Sequence, residues 1–506
     1  MGCNSSKTLE EAIEVKRSNK RRVTQSKNKD IRKSYEFISM LGNGAFGKVR
    51  LYRDRNYKDL LFAIKTLKKE GIPPYQFSLL KSEVNILSNL DHPNIVKYFG
   101  TFEDEYFIHI VMEYLKGHDL YKIIYLKSYT GFDEKNMCQI TQQLLKALSF
   151  IHSKNIIHRD IKPENILFSH KRNYSTLKLI DFGLATFSSQ DNKSVGTPSY
   201  MSPEMIDGNA DPASDMWSVG VIVYQMLTGK LPFESTENES LYDRIKKSDY
   251  NREYLEDIEC SEEILDFIDK TLQKDINSRL STQEGLNHPW IQKFCSKSID
   301  PSLVNNETIS LLLDFSRKSI LQKEIYYFIA KVSNESEIEI TKSKNFFNQL
   351  DSNNLGSLTY DEIKEGFDAN GIEIDEDILQ DIFNGLDFHG VGKINYSEFL
   401  SAMVSSKKFD KEEKLTSVFN LLKENEQNKN YITYESLSNA IKALNLKINE
   451  EEIKKCFKEM DDKIYLEDFR KLILEEEKVD KDKNIVVKDK KYSRTTSKNK
   501  IYYNQK

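Results

Sequence analysis

A chain of 506 residues is too long for a single core and is expected to hold about two to four domains. With 30% charged residues, 39% hydrophobic residues and a net charge of −5, the composition suits a soluble globular protein and argues against general nucleic-acid binding. The five cysteines (Cys3, Cys138, Cys260, Cys295, Cys456) are scattered and form no CxxC pair, which speaks against a zinc site and suits a reducing compartment.

Residues 1–34 read as an attachment arm. Met1-Gly2-Cys3-Asn4-Ser5-Ser6 fits the M-G-x-x-x-[ST] pattern of N-myristoylation, with Gly2 as acyl acceptor. One myristoyl chain binds bilayers only marginally, at roughly 10⁴ M⁻¹, so a second signal is needed. Cys3 is a palmitoylation candidate. Lys16, Arg17, Lys20, Arg21 and Arg22 add a basic cluster worth about 1 kcal/mol per charge near an anionic leaflet. The expectation is a cytoplasmic protein held peripherally at the inner leaflet. It has no apolar run of about 18 residues to span a membrane and no secretory signal.

Residues 35–291 carry the chemistry. Leu41-Gly42-Asn43-Gly44-Ala45-Phe46-Gly47-Lys48-Val49 is G-x-G-x-x-G-x-V, where glycines let the backbone approach phosphates. A dinucleotide loop has similar spacing, but Ala63-Ile64-Lys65 follows at strand-like distance and favours ATP. Leu41, Gly42, Gly44, Gly47, Val49 and Ala63 are then candidate ATP contacts, with Lys65 on the α- and β-phosphates. Glu83 lies in a helical pattern, Lys81–Leu87, and is the expected ion-pair partner of Lys65. Phe107–Tyr114 alternates as a buried strand leading to a hinge. Met112 is expected behind the adenine, with backbone groups near Glu113 and Leu115 bonding it. Asp119 stands where a carboxylate could meet ribose or a substrate arginine.

His158-Arg159-Asp160-Ile161-Lys162-Pro163-Glu164-Asn165 is followed by Asp181-Phe182-Gly183. Phosphoryl transfer needs a carboxylate near the incoming hydroxyl and oxygens to hold Mg²⁺ against the phosphates. Asp160 fits the first role, and Asn165 and Asp181 fit the second. Lys162 can reach the transferred phosphate. Leu177–Ile180 reads as a short strand delivering Asp181. Ser188, Ser189 and Ser194 are candidates for activating phosphorylation, with Asp191 as a built-in carboxylate that could substitute.

Residues 292–340 form a junction. Leu311 to Leu313, Phe315, Ile320, Leu321, Ile325, Phe328 and Ile329 recur at helical spacing beside Arg317, Lys318 and Lys323. The pattern predicts a basic amphipathic helix, suited to autoinhibition and to capture by a calmodulin-like lobe, with an ordinary packing helix as the alternative.

Residues 341–477 repeat a helix–loop–helix unit. The loop Asp351–Glu362 supplies calcium-ligand oxygens at positions 1, 3, 9 and 12 from Asp351, Asn353, Thr359 and Glu362, with Gly356 at position 6 and Leu355 at 5. A second loop keeps Asp387, Gly392, Asn395 and Glu398 but places His389 and Val391 at positions 3 and 5. The third, Asn425–Ser436, has Lys429 at position 5 and Ser436 at 12; the fourth, around Asp461 to Ile464, is too short. Position 8, which pairs neighbouring loops, stays apolar throughout: Leu358, Ile394, Ile432 and Ile464. The paired fold is expected to persist, with Ca²⁺ at one or two sites at most. Residues 478–506 form a basic tail whose composition predicts disorder, with Ser493, Thr495, Thr496 and Ser497 as phosphorylation candidates.

With Gly196-Thr197-Pro198-Ser199-Tyr200, Ser202-Pro203-Glu204, Asp215–Gly220 and Arg279, the motifs of residues 35–291 resemble a serine/threonine protein kinase. The order of arm, kinase, junction and four EF-hand units resembles a calcium-dependent protein kinase of the plant and protist type. That resemblance implies an α+β bilobal kinase fold followed by an all-α calmodulin-like EF-hand domain. It implies ATP and Mg²⁺ as cofactors, protein substrates modified on Ser or Thr, and a monomer. It also implies a buried Glu204–Arg279 pair and an acidic pair, Asp119 and Glu164, selecting arginine upstream of the acceptor. A kinase whose EF-hand lobe is a calcium-insensitive clamp is the alternative.

Overall fold

The structure is a computed structural model of the chain. It describes residues 31–44, 47–55, 60–71, 73–127, 131–171, 173–187, 194–295, 303, 305–333, 338–406, 412–423, 430–443, 450–474 and 488–489. Gly2, Cys3, the basic cluster, Ser188, Ser189, Asp191, Asn425, Lys429 and the serines and threonines of the tail lie outside the described residues.

Five antiparallel strands form the first lobe: β1 (Tyr35–Gly44), β2 (Gly47–Asp54), β3 (Leu61–Lys68), β4 (Tyr98–Glu103) and β5 (Phe107–Glu113), in the order β1-β2-β3-β5-β4. β3 and β5 are apolar on both faces, so they take the inner positions. Helix α1 (Pro74–Ser88) starts on a proline, which has no N–H to waste in a first turn. It buries Leu80, Val84, Ile86 and Leu87 and so carries Glu83 toward β3. The second lobe centres on α2 (Glu134–Ser153) and α3 (Pro212–Thr228), both buried along most of their length. Between them run the paired strands β6 (Ile166–Phe168) and β7 (Leu177–Leu179).

The junction forms two helices, α4 (Asn306–Ser316) and α5 (Ile320–Val332), where one amphipathic helix was expected. Ser319 ends the run: its side chain and that of Gln322 form a reciprocal capping box that starts a new helix. Nor is α5 amphipathic, since every residue from Ile320 to Val332 is buried. Lys323 is turned back on Ser316 O at 2.8 Å and exposes no basic face.

The EF-hand region begins at Ile338, slightly before the expected boundary. Its first pair comprises α6 (Ile338–Leu350), α7 (Tyr360–Ala369), α8 (Glu376–Leu386) and α9 (Tyr396–Val404). The second comprises α10 (Glu412–Leu422), α11 (Tyr434–Ala443), α12 (Glu450–Lys458) and α13 (Leu466–Leu474). The loops pair through their position-8 residues as the apolar pattern requires: Leu358 faces Ile394 and Ile432 faces Ile464. α4 packs on α8 and α9, while α5 lies against α9, α10 and α12. Among the described residues no helix is long and apolar enough to cross a membrane.

Two terminal expectations need correction. Ile31–Ser34, assigned to the arm, is a helical turn whose Ile31 is buried with Tyr35, Phe62 and Val111. In the tail, Lys488–Asp489 pairs with Ile372–Glu373, a short strand whose edge offers backbone groups to any polar segment.

Candidate active site

The geometry starts from a lysine on a central strand. Lys65 Nζ lies 2.6 Å from Glu83 Oε1 and 2.9 Å from Asp181 Oδ1. Burial opposes the ammonium charge, but Glu83 and Asp181 outweigh it and hold the Lys65 pKa above its ordinary value. Asp181 follows β7 in a left-handed backbone conformation, φ 58°, which directs its carboxylate at Lys65. Burial raises its pKa, while Lys65 and His158 lower it more, so Asp181 stays ionised.

Three donors converge on Asp160. Thr197 Oγ1 donates to Oδ1 at 2.7 Å, Asn165 Nδ2 donates to Oδ2 at 3.0 Å, and Lys162 Nζ lies 2.7 Å from Oδ2. Lys162 also donates to Thr197 Oγ1 at 2.8 Å. Underneath, the buried carboxylate of Asp215 accepts from the backbone N–H groups of His158 and Arg159 at 3.0 Å each and meets His152 Nε2 at 2.9 Å. Arg159 has φ 66°, so the loop is held in an unfavourable conformation by these bonds. Desolvation raises the Asp215 pKa, but its histidine and backbone partners bring it below the usual carboxylate range.

The glycine-rich turn joins β1 to β2 with Gly44 opposite Gly47. A Cβ on Gly47 would come within 2.6 Å of Thr66 O, so no side chain fits there. Val49 pairs with Lys65, and Ala63 pairs with Met112, which places the adenine-lining candidates on adjacent strands. Leu41 is exposed and Leu115 is buried. Glu113 is more constrained than expected. Its N–H donates to Lys97 O at 3.0 Å and its carboxylate accepts from Lys97 N at 2.7 Å. The amide is thus already used within the fold.

Both implied cofactors suit these residues. Asn165 uses its amide N–H groups on Asp160 O and Oδ2, which leaves its carbonyl oxygen as an acceptor. With the Asp181 carboxylate this makes a two-oxygen set of the kind Mg²⁺ completes with phosphate oxygens and water. The cationic Lys65 and the side-chain-free turn suit the phosphates. Glu204 and Arg279 form the expected pair at 2.6 and 3.1 Å, joined by Ser214 Oγ and Ala213 O. Asp119 caps the helix Leu120–Lys127 through Lys122 N at 2.7 Å, and Glu164 is exposed nearby in sequence to Asn165.

The calcium loops differ from one another. In loop 1, Asp351 accepts from the N–H groups of Leu355 and Gly356, and Glu362 accepts from Ser352, Asn353 and Thr359. These carboxylate oxygens accept from N–H and O–H donors of the loop, and an oxygen set of this kind suits a hard cation. In loop 2, Asp387 accepts from Val391 and Gly392, while Glu398 Oε1 meets His389 Nδ1 at 2.7 Å and Oε2 accepts from Asn395 N at 2.8 Å.

Known proteins match this architecture. The protein kinase domain model matches residues 35–291, and the EF-hand domain pair model matches residues 340–404. Calcium-dependent protein kinase 3 of Plasmodium berghei (strain Anka) is 33% identical over 350 residues, covering 67% of this chain and 61% of that protein. Calcium-dependent protein kinase 32 of Arabidopsis thaliana is 31% identical over 420 residues, covering 82% of this chain and 76% of its own length. Calcium-dependent protein kinase 13 of Oryza sativa subsp. japonica is 32% identical over 427 residues, with 82% and 75% covered.

The chain belongs to the calcium-dependent protein kinase family.

Against the Plasmodium relatives the chain spans less than two thirds of their length, 61% for the berghei protein and 63% for the yoelii yoelii protein. Within this family member, three participants were not assigned roles from the sequence. Thr197 and Asp215 were noted only as motif positions, and His152 was not noted. Each acts by hydrogen bonds across more than thirty residues of chain, which spacing does not reveal.

Proposed function

We propose that this chain is a protein kinase that transfers the ATP γ-phosphate to Ser or Thr of proteins, with its EF-hand domain as regulator. The observation that carries this reading is the meeting of Lys65, Glu83 and Asp181 within 3 Å contacts beside an Asp160 held by Thr197, Lys162 and Asn165. Lys65 binds the α- and β-phosphates while Glu83 fixes its position. Asp160 orients the acceptor hydroxyl and takes its proton. Lys162 faces the charge of the transferring group. Mg²⁺, held by Asn165 and Asp181, supplies neutralisation of phosphate charge when bound. Lys162 bonded to Thr197 within G-T-x-x-Y supports hydroxyls of Ser and Thr as acceptors.

Asp119 and Glu164 support a preference for arginine upstream of the acceptor. A peptide array showing no basic preference overturns that part. Gly2 and Cys3 support acyl anchoring at the inner leaflet; a Gly2→Ala variant is expected to leave the membrane fraction, and its retention there counts against the idea. For Ca²⁺, the oxygen set of loop 1 is the best supported site. Radiolabelled phosphate incorporation with and without chelator tests the whole reading. Incorporation that needs Ca²⁺ supports the lobe as a calcium switch, and its absence under both conditions overturns catalysis.

A second reading, in which the lobe clamps the kinase without calcium, is favoured by direct contacts. Asp91 accepts from Ser397 N and Oγ at 2.9 and 2.6 Å, Gln283 Nε2 donates to Asn353 O at 2.8 Å, and Lys97 Nζ reaches three carbonyls at the end of α5. Incorporation undiminished by chelator supports this reading.

A further inference from the structure

An EF-hand loop relies on its position-12 carboxylate, which gives calcium both oxygens. In loop 2 that residue is Glu398, fully buried, and its Oε1 is committed to His389 Nδ1 at 2.7 Å. The His389 ring is itself buried, packed against Phe388 at 4.4 Å and edge-on to Tyr327 at 5.1 Å between ring centroids. Its other nitrogen, Nε2, forms an ion pair at 3.4 Å with Glu324 Oε1. Glu324 belongs to α5 and is also buried. The imidazole thus stands between two buried glutamates, one at each ring nitrogen.

This arrangement does not fit calcium. Position 3 offers a ring nitrogen already turned to a carboxylate, where a hard cation requires oxygen. For an ion to enter, the ring must leave Glu398, and the buried Glu324 then loses the imidazole it faces, which is unfavourable. In loop 1, Asp351, Asn353 and Glu362 instead accept from backbone N–H groups of the loop itself.

We infer that loop 2 is a calcium-free tether, in which the His389 side chain takes the place of the ion and joins Glu398 of the loop to Glu324 of the junction helix. The first EF-hand pair therefore grips α5 through the close approach of His389 Nε2 to Glu324 Oε1. This deepens the regulatory reading above, yet its test reads calcium stoichiometry and amide exchange, so it can fail while catalysis stands, and the reverse.

The experiment uses the full-length, calcium-stripped protein. In calorimetric titration with CaCl₂, Glu398→Gln is expected to leave the calcium stoichiometry of the wild type unchanged. A loss of one bound ion in Glu398→Gln overturns the inference. Hydrogen exchange on the wild type covers the case in which that variant fails to fold. Peptides from α5 are expected to show the same protection in chelator as in millimolar calcium, and protection that rises about tenfold with calcium overturns it. Glu324→Gln, which keeps shape and removes the charge, is expected to lower α5 protection about tenfold in chelator. Unchanged protection in that variant removes the tether.

Discussion

Asp160 receives hydrogen bonds or ion-pair contacts from Thr197, Asn165 and Lys162, so the site around it is shaped for an acceptor with negative charge. Asp160→Asn keeps the shape, removes the proton acceptor and turns an N–H₂ group toward donors. General-base contributions run at about 10²–10⁴-fold, and kcat is expected to fall within that range. The KM for ATP should change little, because the proposed phosphate ligand is Lys65, which pairs with Glu83 and Asp181 and not with Asp160. Steady-state kinetics decide it; an unchanged kcat removes Asp160 from the chemistry. Glu204 and Arg279 make a second residue-level case. The Arg279 side chain has no exposed surface and sits over Trp217, so Glu204→Ala leaves a buried guanidinium without its counter-charge. A loss of about 3–5 kcal/mol is expected on denaturant unfolding. At this scale the sequence was most readable. Lys65 meets Glu83 and Asp181, and Asp160 meets Asn165, all residues that motif spacing alone singles out. Asp215 and His152 escaped assignment because they shape the backbone of another segment. Likewise His389 read as a lost ligand, since spacing says nothing about a partner on α5.

Helices were legible from their apolar period, but their ends were harder to read. The junction carried one continuous pattern from Leu311 to Ile329, with neither Gly nor Pro between, and the structure divides it at Arg317–Ser319. The available signal was Ser319-x-x-Gln322, a capping box inside the apolar run. The divided element explains Lys323. Its ammonium reaches back to Ser316 O, a cation at the C-terminus of α4, where the helix dipole favours it. Burial nevertheless dominates and lowers its pKa from 10.5 to about 8, with Glu452 opposing. The folded state therefore releases this proton more readily than the unfolded chain does. Between about pH 8 and 10.5 the unfolded state binds more protons, so this group makes stability rise with pH across that window. Lys323→Met has no charge to desolvate. Its melting temperature relative to wild type should be highest near pH 7 and should decline as pH approaches 10. A gap that stays constant with pH shows that Lys323 is not held down by burial.

On the scale of the whole molecule, one lysine connects the regulatory lobe to the nucleotide cleft. Lys97 Nζ lies 3.2–3.3 Å from the carbonyls of Ala330, Lys331 and Ser333, capping the buried C-terminal dipole end of α5. Its backbone N–H and C=O hold the carboxylate and N–H of Glu113, at the hinge expected to meet adenine. A shift of α5 is thus expected to pull on the strand segment proposed to meet ATP. Asp91, six residues earlier, also binds the lobe, through Ser397 and Lys331, but among the described residues it makes no bond to the hinge. The two residues separate docking from coupling. Lys97→Met and Asp91→Asn are both expected to raise hydrogen exchange in α5 and α9, because each removes a contact between lobe and kinase. Only Lys97→Met should raise the KM for ATP, by about fivefold, the lower end of ordinary coupling between sites. The kcat should be nearly unchanged, since Asp160 and its partners lie on the other lobe. If both variants raise KM equally, Lys97 acts only by docking the lobe; if neither does, α5 does not communicate with the hinge through this residue.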